Sequence, residues 1–398
     1  MAEITAAENG VRGTGKARRG SAAWRCHHRS WQLAGLRNAI VATACGIASL
    51  ARAQPPALAQ PAAKGYSTVR LSEGVYAFVA PESRTSLVTG NSLVVVGSDG
   101  VLVVDSGHLP SVTRQMIREI KTLTDQPVRY LINTHWHEDH VGGNGEFRAE
   151  WPGVSIVSTT ATLRAFQANV RDDVARQLRD IPPGLDQIRR MLAAGANKDG
   201  SPMSPSDRAF REAQIVDFGA FYPELSAIRF AEPTLTFESQ LSLYLGGREV
   251  RILWLGPGNT AGDAVVHVPD ARVVATGDLL VAPTPYASGS FMYDWPKTMR
   301  RLMQIDAVAI VPGHGPVERD WTYAALVTSL LDSLGVQVQR AVDRRASLED
   351  TRAAVDVTAF RDRMTGTDSF RIRAFNVFFL ATAIERAYRE AMSRSERN

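Results

Sequence analysis

The sequence predicts an α/β chain in which two β-sheets pack face to face with helices on the outside. Two observations point there. Apolar, β-branched runs of strand length occur in two hairpin-rich blocks, and each block is interleaved with segments of helical apolar spacing. A chain of 398 residues, 44% hydrophobic and 22% charged, also has the apolar content and size to bury a large core.

In the first block, GVYAFVA (residues 74–80) reads as a strand. NSLVVVGSDGVLVVDS (91–106) reads as a hairpin through Ser98-Asp99-Gly100. PSVTRQMIREIKTLT (110–124) places Val112, Met116, Ile117, Ile120 and Leu123 on one helical face, with Pro110 at its start. VRYLINT (128–134) and VSIVST (154–159) are buried strands. From about 160 to 231 the character changes to a helical insertion. Residues 162–180 and 184–195 are helical patterns, expected to be separated at Pro182-Pro183. NKDGSPMSPSD (197–207) is expected to be an exposed, flexible loop. The second block holds LSLYLGGREVRILWL (241–255), a hairpin through Gly246-Gly247, and AVVHVPDARVVATGD (264–278), a hairpin through Pro269-Asp270. PKTMRRLMQI (296–305) is helical and AVAIVPGHG (307–315) is a strand. Beyond Trp321 the pattern is helical, most clearly in residues 375–392.

The positive charge is confined to one end. The chain carries a formal net charge of +4, yet residues through Ala53 hold eight Lys/Arg and two Asp/Glu. The remainder holds 37 basic and 39 acidic residues, so nothing favours a nucleic-acid partner. That basic segment precedes an apolar run, NAIVATACGIASLA (38–51), and small-residue sites ending at Ala53 and Ala59. It reads as an export signal followed by a Pro/Ala-rich linker, with residues 1–59 lying outside the folded unit. The expected mature product is periplasmic or secreted and has no stable membrane insertion. Both cysteines, Cys26 and Cys45, fall in this segment, which leaves the mature chain without a thiol nucleophile or thiolate ligand.

The chemistry concentrates in THWHEDH, where His135, His137, Asp139 and His140 follow directly on an apolar strand. Imidazole nitrogens and a carboxylate are ligands for zinc or a similar divalent ion. Four such groups in six residues suit two neighbouring ions better than one tetrahedral ion. Gly142-Gly143 follow at once and are expected to allow tight turning.

At these residues the chain resembles the metallo-β-lactamase fold superfamily, whose H-x-H-x-D-H motif is complete here. The resemblance runs from about Val69 to Val317 and includes VDSG with Asp105, TGD with Asp278 and PGHG with His314. It implies a four-layer αββα sandwich with metals at one edge. A catalytic domain would span 60–320, followed by a C-terminal helical extension, 321–398, packed on the same domain.

The resemblance further implies one metal site at His135, His137 and the position of Asn259, and a second at Asp139, His140 and His314. Asp278 would bridge the two or join the second, and Asp105 would support the metal loop through hydrogen bonds. In GPGNTAGD the family's usual histidine is replaced by Asn259, a neutral amide oxygen and a weaker zinc donor. Asn259 is therefore expected to be a weak ligand or none, with one zinc bound tightly and a second more weakly, other divalent metals also fitting. His267, in an apolar strand, is expected to be a packing residue, and His108 to lie near the site edge.

The implied reaction is hydrolysis, with a metal-bound hydroxide attacking a carbonyl of an amide, lactam, lactone or ester, β-lactams among them. Asp139 would orient the nucleophile and shuttle a proton. The partner is a small-molecule substrate, with Tyr286, Ser288 and Ser290 as the candidate contacts. Two alternatives stay open at this level: a glyoxalase-II-like thioesterase, and a non-catalytic exported metal-binding or accessory protein of the same fold.

Overall fold

A computed structural model describes residues 65–85 and 88–395. The export signal and most of the linker read above lie outside these residues.

Two sheets form the centre. The first contains seven strands in chain order: β1 (Ser67–Ser72), β2 (Val75–Val79), β3 (Ser92–Val96), β4 (Val101–Val104), β5 (Val128–Ile132), β6 (Ser155–Thr159) and β7 (Leu235–Phe237). It is antiparallel from β1 to β4 and parallel from β4 to β7. The second sheet has β8 (Gln240–Leu245), β9 (Arg248–Trp254), β10 (Ala264–Val268), β11 (Val273–Val281) and β12 (Ala309–His314), in the order β12-β11-β10-β9-β8. The hairpins through residues 98–100, 246–247 and 269–271 are all present as antiparallel pairs.

Strand side chains alternate between faces, and here both faces of each sheet are covered. Leu93, Val95, Leu102, Val104, Ile132 and Val157 from the first sheet meet Leu245, Val250, Ile252, Val266 and Ala275 from the second, forming the inner core. Val94, Val101, Val103, Leu131 and Ile156 point the other way, onto Met116, Ile117 and Ile120 of helix Pro110–Leu123 and onto Phe147. On the far side, Val265, Val274, Leu279 and Ile310 pack against Trp295, Met299, Leu330, Leu334 and Phe379. Those residues belong to helix Trp295–Leu302 and to the helical segment after Trp321. The result is an αββα sandwich, and double coverage explains why these strands read as continuous apolar runs.

The region between β6 and β7 differs from the sequence expectation in two places. Helix Arg171–Ala194 runs unbroken through Pro182-Pro183. Each proline costs about 3 kcal/mol in a helix interior. Ile181, Leu185 and Ile188 are buried against Phe218, Phe221 and Leu225, at about 1.5–3 kcal/mol per side chain, which offsets that cost. A second helix, Pro205–Leu225, begins inside the stretch expected to be a loop. Ser204 caps it by accepting from the Asp207 backbone N–H at 3.1 Å, and Pro205 occupies its first turn. Ser-Pro-Ser-Asp is thus a helix start, although it has the composition of a turn. None of the described helices is long and apolar enough to cross a membrane.

Candidate metal centre

Four chain segments deliver side chains to one edge of the sandwich. Strand β4 ends at Val104 and leads into Asp105; β5 ends at Ile132 and leads into the His135–His140 loop; β11 carries Asp278; β12 ends on His314. The loop is pinned by the first segment. The Asp105 carboxylate accepts from the Thr134 backbone N–H (2.8 Å) and hydroxyl (2.8 Å), and its Oδ2 lies 2.8 Å from His140 Nδ1. Asp105 holds this position with a left-handed backbone, φ 59°. Its contact turns His140 Nε2 outward, toward His314.

Close approach, rather than turning freedom, accounts for Gly142-Gly143. Both have ordinary right-handed helical backbone angles, contrary to the sequence expectation. A Cβ on Gly142 would lie 2.1 Å from the His108 carbonyl oxygen, and one on Gly143 2.2 Å from that of Ser106.

The ligand atoms fall into two groups that share Asp278. In one, His140 Nε2 and His314 Nε2 are 3.2 Å apart, with Asp139 Oδ2 at 3.4 and 3.1 Å from them. In the other, His135 Nε2 and His137 Nδ1 are 2.9 Å apart. Asp278 turns one oxygen to each group: Oδ1 lies 3.2 Å from His140 and 3.5 Å from His314, while Oδ2 lies 3.5 Å from His135 and 4.0 Å from His137. The structure thus brings Asp105, His135, His137, Asp139, His140, Asp278 and His314 into contact, all largely buried.

This donor set fits divalent metal. Imidazole lone pairs facing each other at about 3 Å repel unless a proton or cation lies between them. Among the described residues the buried Asn259 Oδ1 accepts no hydrogen bond, while the buried Asp139 Oδ2 and Asp278 Oδ1 meet only poorly aligned imidazole nitrogens at 3.1–3.5 Å. Leaving such atoms unsatisfied costs about 1–3 kcal/mol each, more for charged groups. Asn259 itself is fully buried and donates from Nδ2 to the Tyr286 carbonyl at 2.7 Å, which fixes the amide and leaves the oxygen available.

Without metal the centre is an ion cluster. Burial opposes charge on Asp139, but His140 and His314 overcome it and hold the carboxyl well below the usual range. Burial likewise opposes charge on Asp278, and His140, His314 and His135 hold that carboxyl well below its usual range. Burial disfavours imidazolium at His140, but Asp139, Asp278 and Asp105 raise it well above its usual value. His314 is raised against burial by Asp278 and Asp139.

The candidate substrate contacts separate. Tyr286 is 38% exposed, and its ring meets the His137 ring edge-on at 6.0 Å between centroids. Ser288 hydrogen-bonds the Tyr286 side chain. Ser290 is fully buried, and its carbonyl accepts from Arg386 Nε (3.1 Å) on the last helix, so it faces the C-terminal helices, away from solvent. His267 lies in the middle strand of the second sheet, between Arg251 and Val274. His108 packs edge-on against Phe221 of the insertion and contacts the Val88 carbonyl at 3.1 Å.

Several supporting residues escaped the sequence reading. Thr134 is the anchor between Asp105 and the loop, and its hydroxyl also lies 3.0 Å from His135 Nδ1. Gly90 lies so close to His140 that a Cβ there would sit 2.5 Å from the ring. Asp263 closes the turn after Asn259, accepting from the Thr260 backbone N–H and hydroxyl, and burial raises its pKa to about 6. Thr134 and Asp263 stand inside the quoted motifs, where their chemistry was visible but their partners were not.

The sequence profile of the metallo-beta-lactamase superfamily matches residues 85–314. The chain belongs to this superfamily. Among curated relatives, a linear primary-alkylsulfatase from Pseudomonas is 25% identical over 56% of this chain and 40% of its own length. The metallo-beta-lactamase type 2 of Bacillus cereus is 21% identical over 58% of this chain and 68% of its own. A solved metallo-beta-lactamase from Pontibacter korlensis is 21% identical, covering 67% of this chain and 99% of that one, with a TM-score of 0.48. The match thus covers well under half the length of the alkylsulfatase.

Proposed function

We propose that this protein is an exported, zinc-dependent hydrolase acting on an ester- or amide-type bond of a small molecule. The observation that carries the reading is Asp278, a buried carboxylate with one oxygen turned to each of two imidazole pairs. Asp139, His140 and His314 would hold one zinc ion; His135, His137 and, more weakly, Asn259 would hold a second. When bound, such an ion lowers the pKa of its water toward neutrality and polarises the bond to be cleaved.

The chain's own residues supply the rest. Asp139 presents a buried oxygen 3.1 Å from His314 Nε2 and would orient a water and accept its proton. Asp105 fixes the face of His140 that looks into the site. Tyr286, exposed beside His137, and Ser288 border the entrance and would contact substrate. The relatives supply two substrate classes for testing, a β-lactam and an alkyl sulfate, beside the lactone and thioester that the sequence leaves open.

Protein purified without chelator should contain zinc and hydrolyse at least one member of a panel of a β-lactam, a lactone, a thioester and an alkyl sulfate ester. Absence of divalent metal together with absence of turnover on the whole panel would overturn the hydrolase reading.

A further inference from the structure

A second site lies where the helical insertion meets the C-terminal helices, built from residues that take no part in the metal centre. A cavity of about 310 Å³ is lined by Met191, Asn197, Lys198, Asp199, Asp207, Arg211 and Arg373. Asp207 and Arg211 come from helix Pro205–Leu225, and Arg373 from helix Ser369–Ala374.

The two arginines converge on one aromatic ring. The Arg211 and Arg373 guanidiniums lie 5.5 and 5.1 Å from the Phe210 ring centroid. The lining carries three basic side chains, Lys198, Arg211 and Arg373, against two acidic ones, Asp199 and Asp207. Asp207 is engaged by Arg373 and accepts from the Ser204 hydroxyl at 2.7 Å. Asp199 accepts from the Ser201 backbone N–H (3.0 Å) and hydroxyl (2.7 Å). Among the described residues, Arg211 donates to the neutral Gln214 side-chain oxygen at 2.9 Å, and its buried Nε has no acceptor. Burial and then the Arg373 charge hold the Arg211 pKa below its usual value, and the nearby Asp207 carboxylate offsets this only in part.

We infer that this cavity binds a small organic anion, with a carboxylate or phosphate group held between Arg211 and Arg373. Guanidinium groups bind both oxyanions through paired, charge-assisted hydrogen bonds. An anion there would supply the acceptor that the buried Arg211 Nε lacks. The volume is at the lower end of small-molecule sites, roughly 300–1,000 Å³, and exceeds what an inorganic ion alone fills.

Isothermal titration of the full metal-loaded chain with succinate and with glycerol phosphate, at ionic strength matched with sodium chloride, tests this. Saturable binding of either is expected, and the ligand that binds identifies the oxyanion. Arg211→Gln and Arg373→Gln should each weaken it by at least about tenfold, with unchanged circular dichroism. If one variant fails to fold, the other decides. Asp278→Ala, at the metal centre, should leave the binding intact. No saturable binding of either anion, binding undiminished in a folded arginine variant, or binding lost in Asp278→Ala would each overturn the proposal.

Discussion

The two halves of the metal centre share Asp278 but are built differently. The Asp139/His140/His314 half draws its groups from two chain segments, and a third, Asp105, orients His140 from behind. The His135/His137 half draws both imidazoles from one loop, and the further ligand proposed for it, Asn259, is an uncharged amide. Both halves are buried and both contain imidazole nitrogens about 3 Å apart, so burial does not distinguish them. They differ in carboxylate content: one half has Asp139 and a share of Asp278, the other only a share of Asp278. Charge on the ligands, more than their number, should therefore set which half holds metal more tightly.

Three measurements would break or sharpen this contrast. The largest effect is expected from Asp278→Ala, which removes the group both halves use. Metal content should fall at both, and hydrolysis by more than the roughly 100-fold typical of losing an outer partner. If one equivalent of metal survives with unchanged affinity, Asp278 belongs to one half only.

A smaller, graded effect concerns protons. In the metal-free protein the raised His140 and His314 contribute stability below their unfolded value of 6.5, which is lost as pH rises through their folded values. The depressed Asp139 and Asp278 contribute above 3.8, and that stability is lost as pH falls through their folded values. Metal replaces the imidazole protons, so its apparent affinity should rise with pH above 6.5, through the raised folded values of His140 and His314, with proton release to buffer. Calorimetry in buffers of different ionisation enthalpy would measure it, and heats independent of buffer would show that the imidazoles were already neutral.

The smallest change is one of stoichiometry. Asn259→His should raise bound metal from one equivalent toward two, read by elemental analysis of protein prepared without chelator. Two ions of equal affinity in the unsubstituted protein would show that the amide is no handicap and that the halves are equivalent.

Much of the fold was legible because its signals are local. Hairpin turns, β-branched runs and the helical spacing of residues 110–124 each depend on neighbours within a few positions. The gathering of the candidate ligands was legible for the same reason, since THWHEDH concentrates its groups in one loop. The insertion was less legible. Pro182-Pro183 normally interrupts a helix, and only contacts with a second helix, itself hidden in a turn-like stretch, outweigh that preference. Ser290 looked equivalent to Ser288 two residues earlier, yet Arg386, nearly a hundred positions away, holds its carbonyl and it is buried.

The sequence carried the identity of the metal-binding groups, the strand that delivers them and the substitution at Asn259, because each is a matter of residue type and short-range order. Which oxygen of Asp278 faces which imidazole pair, how Asp105 and Thr134 set the His140 ring, and where Arg211 meets Arg373 required the folded chain. Those relations join positions tens to hundreds of residues apart, and only packing of the two sheets and their flanking helices brings them within hydrogen-bonding distance or against one aromatic ring.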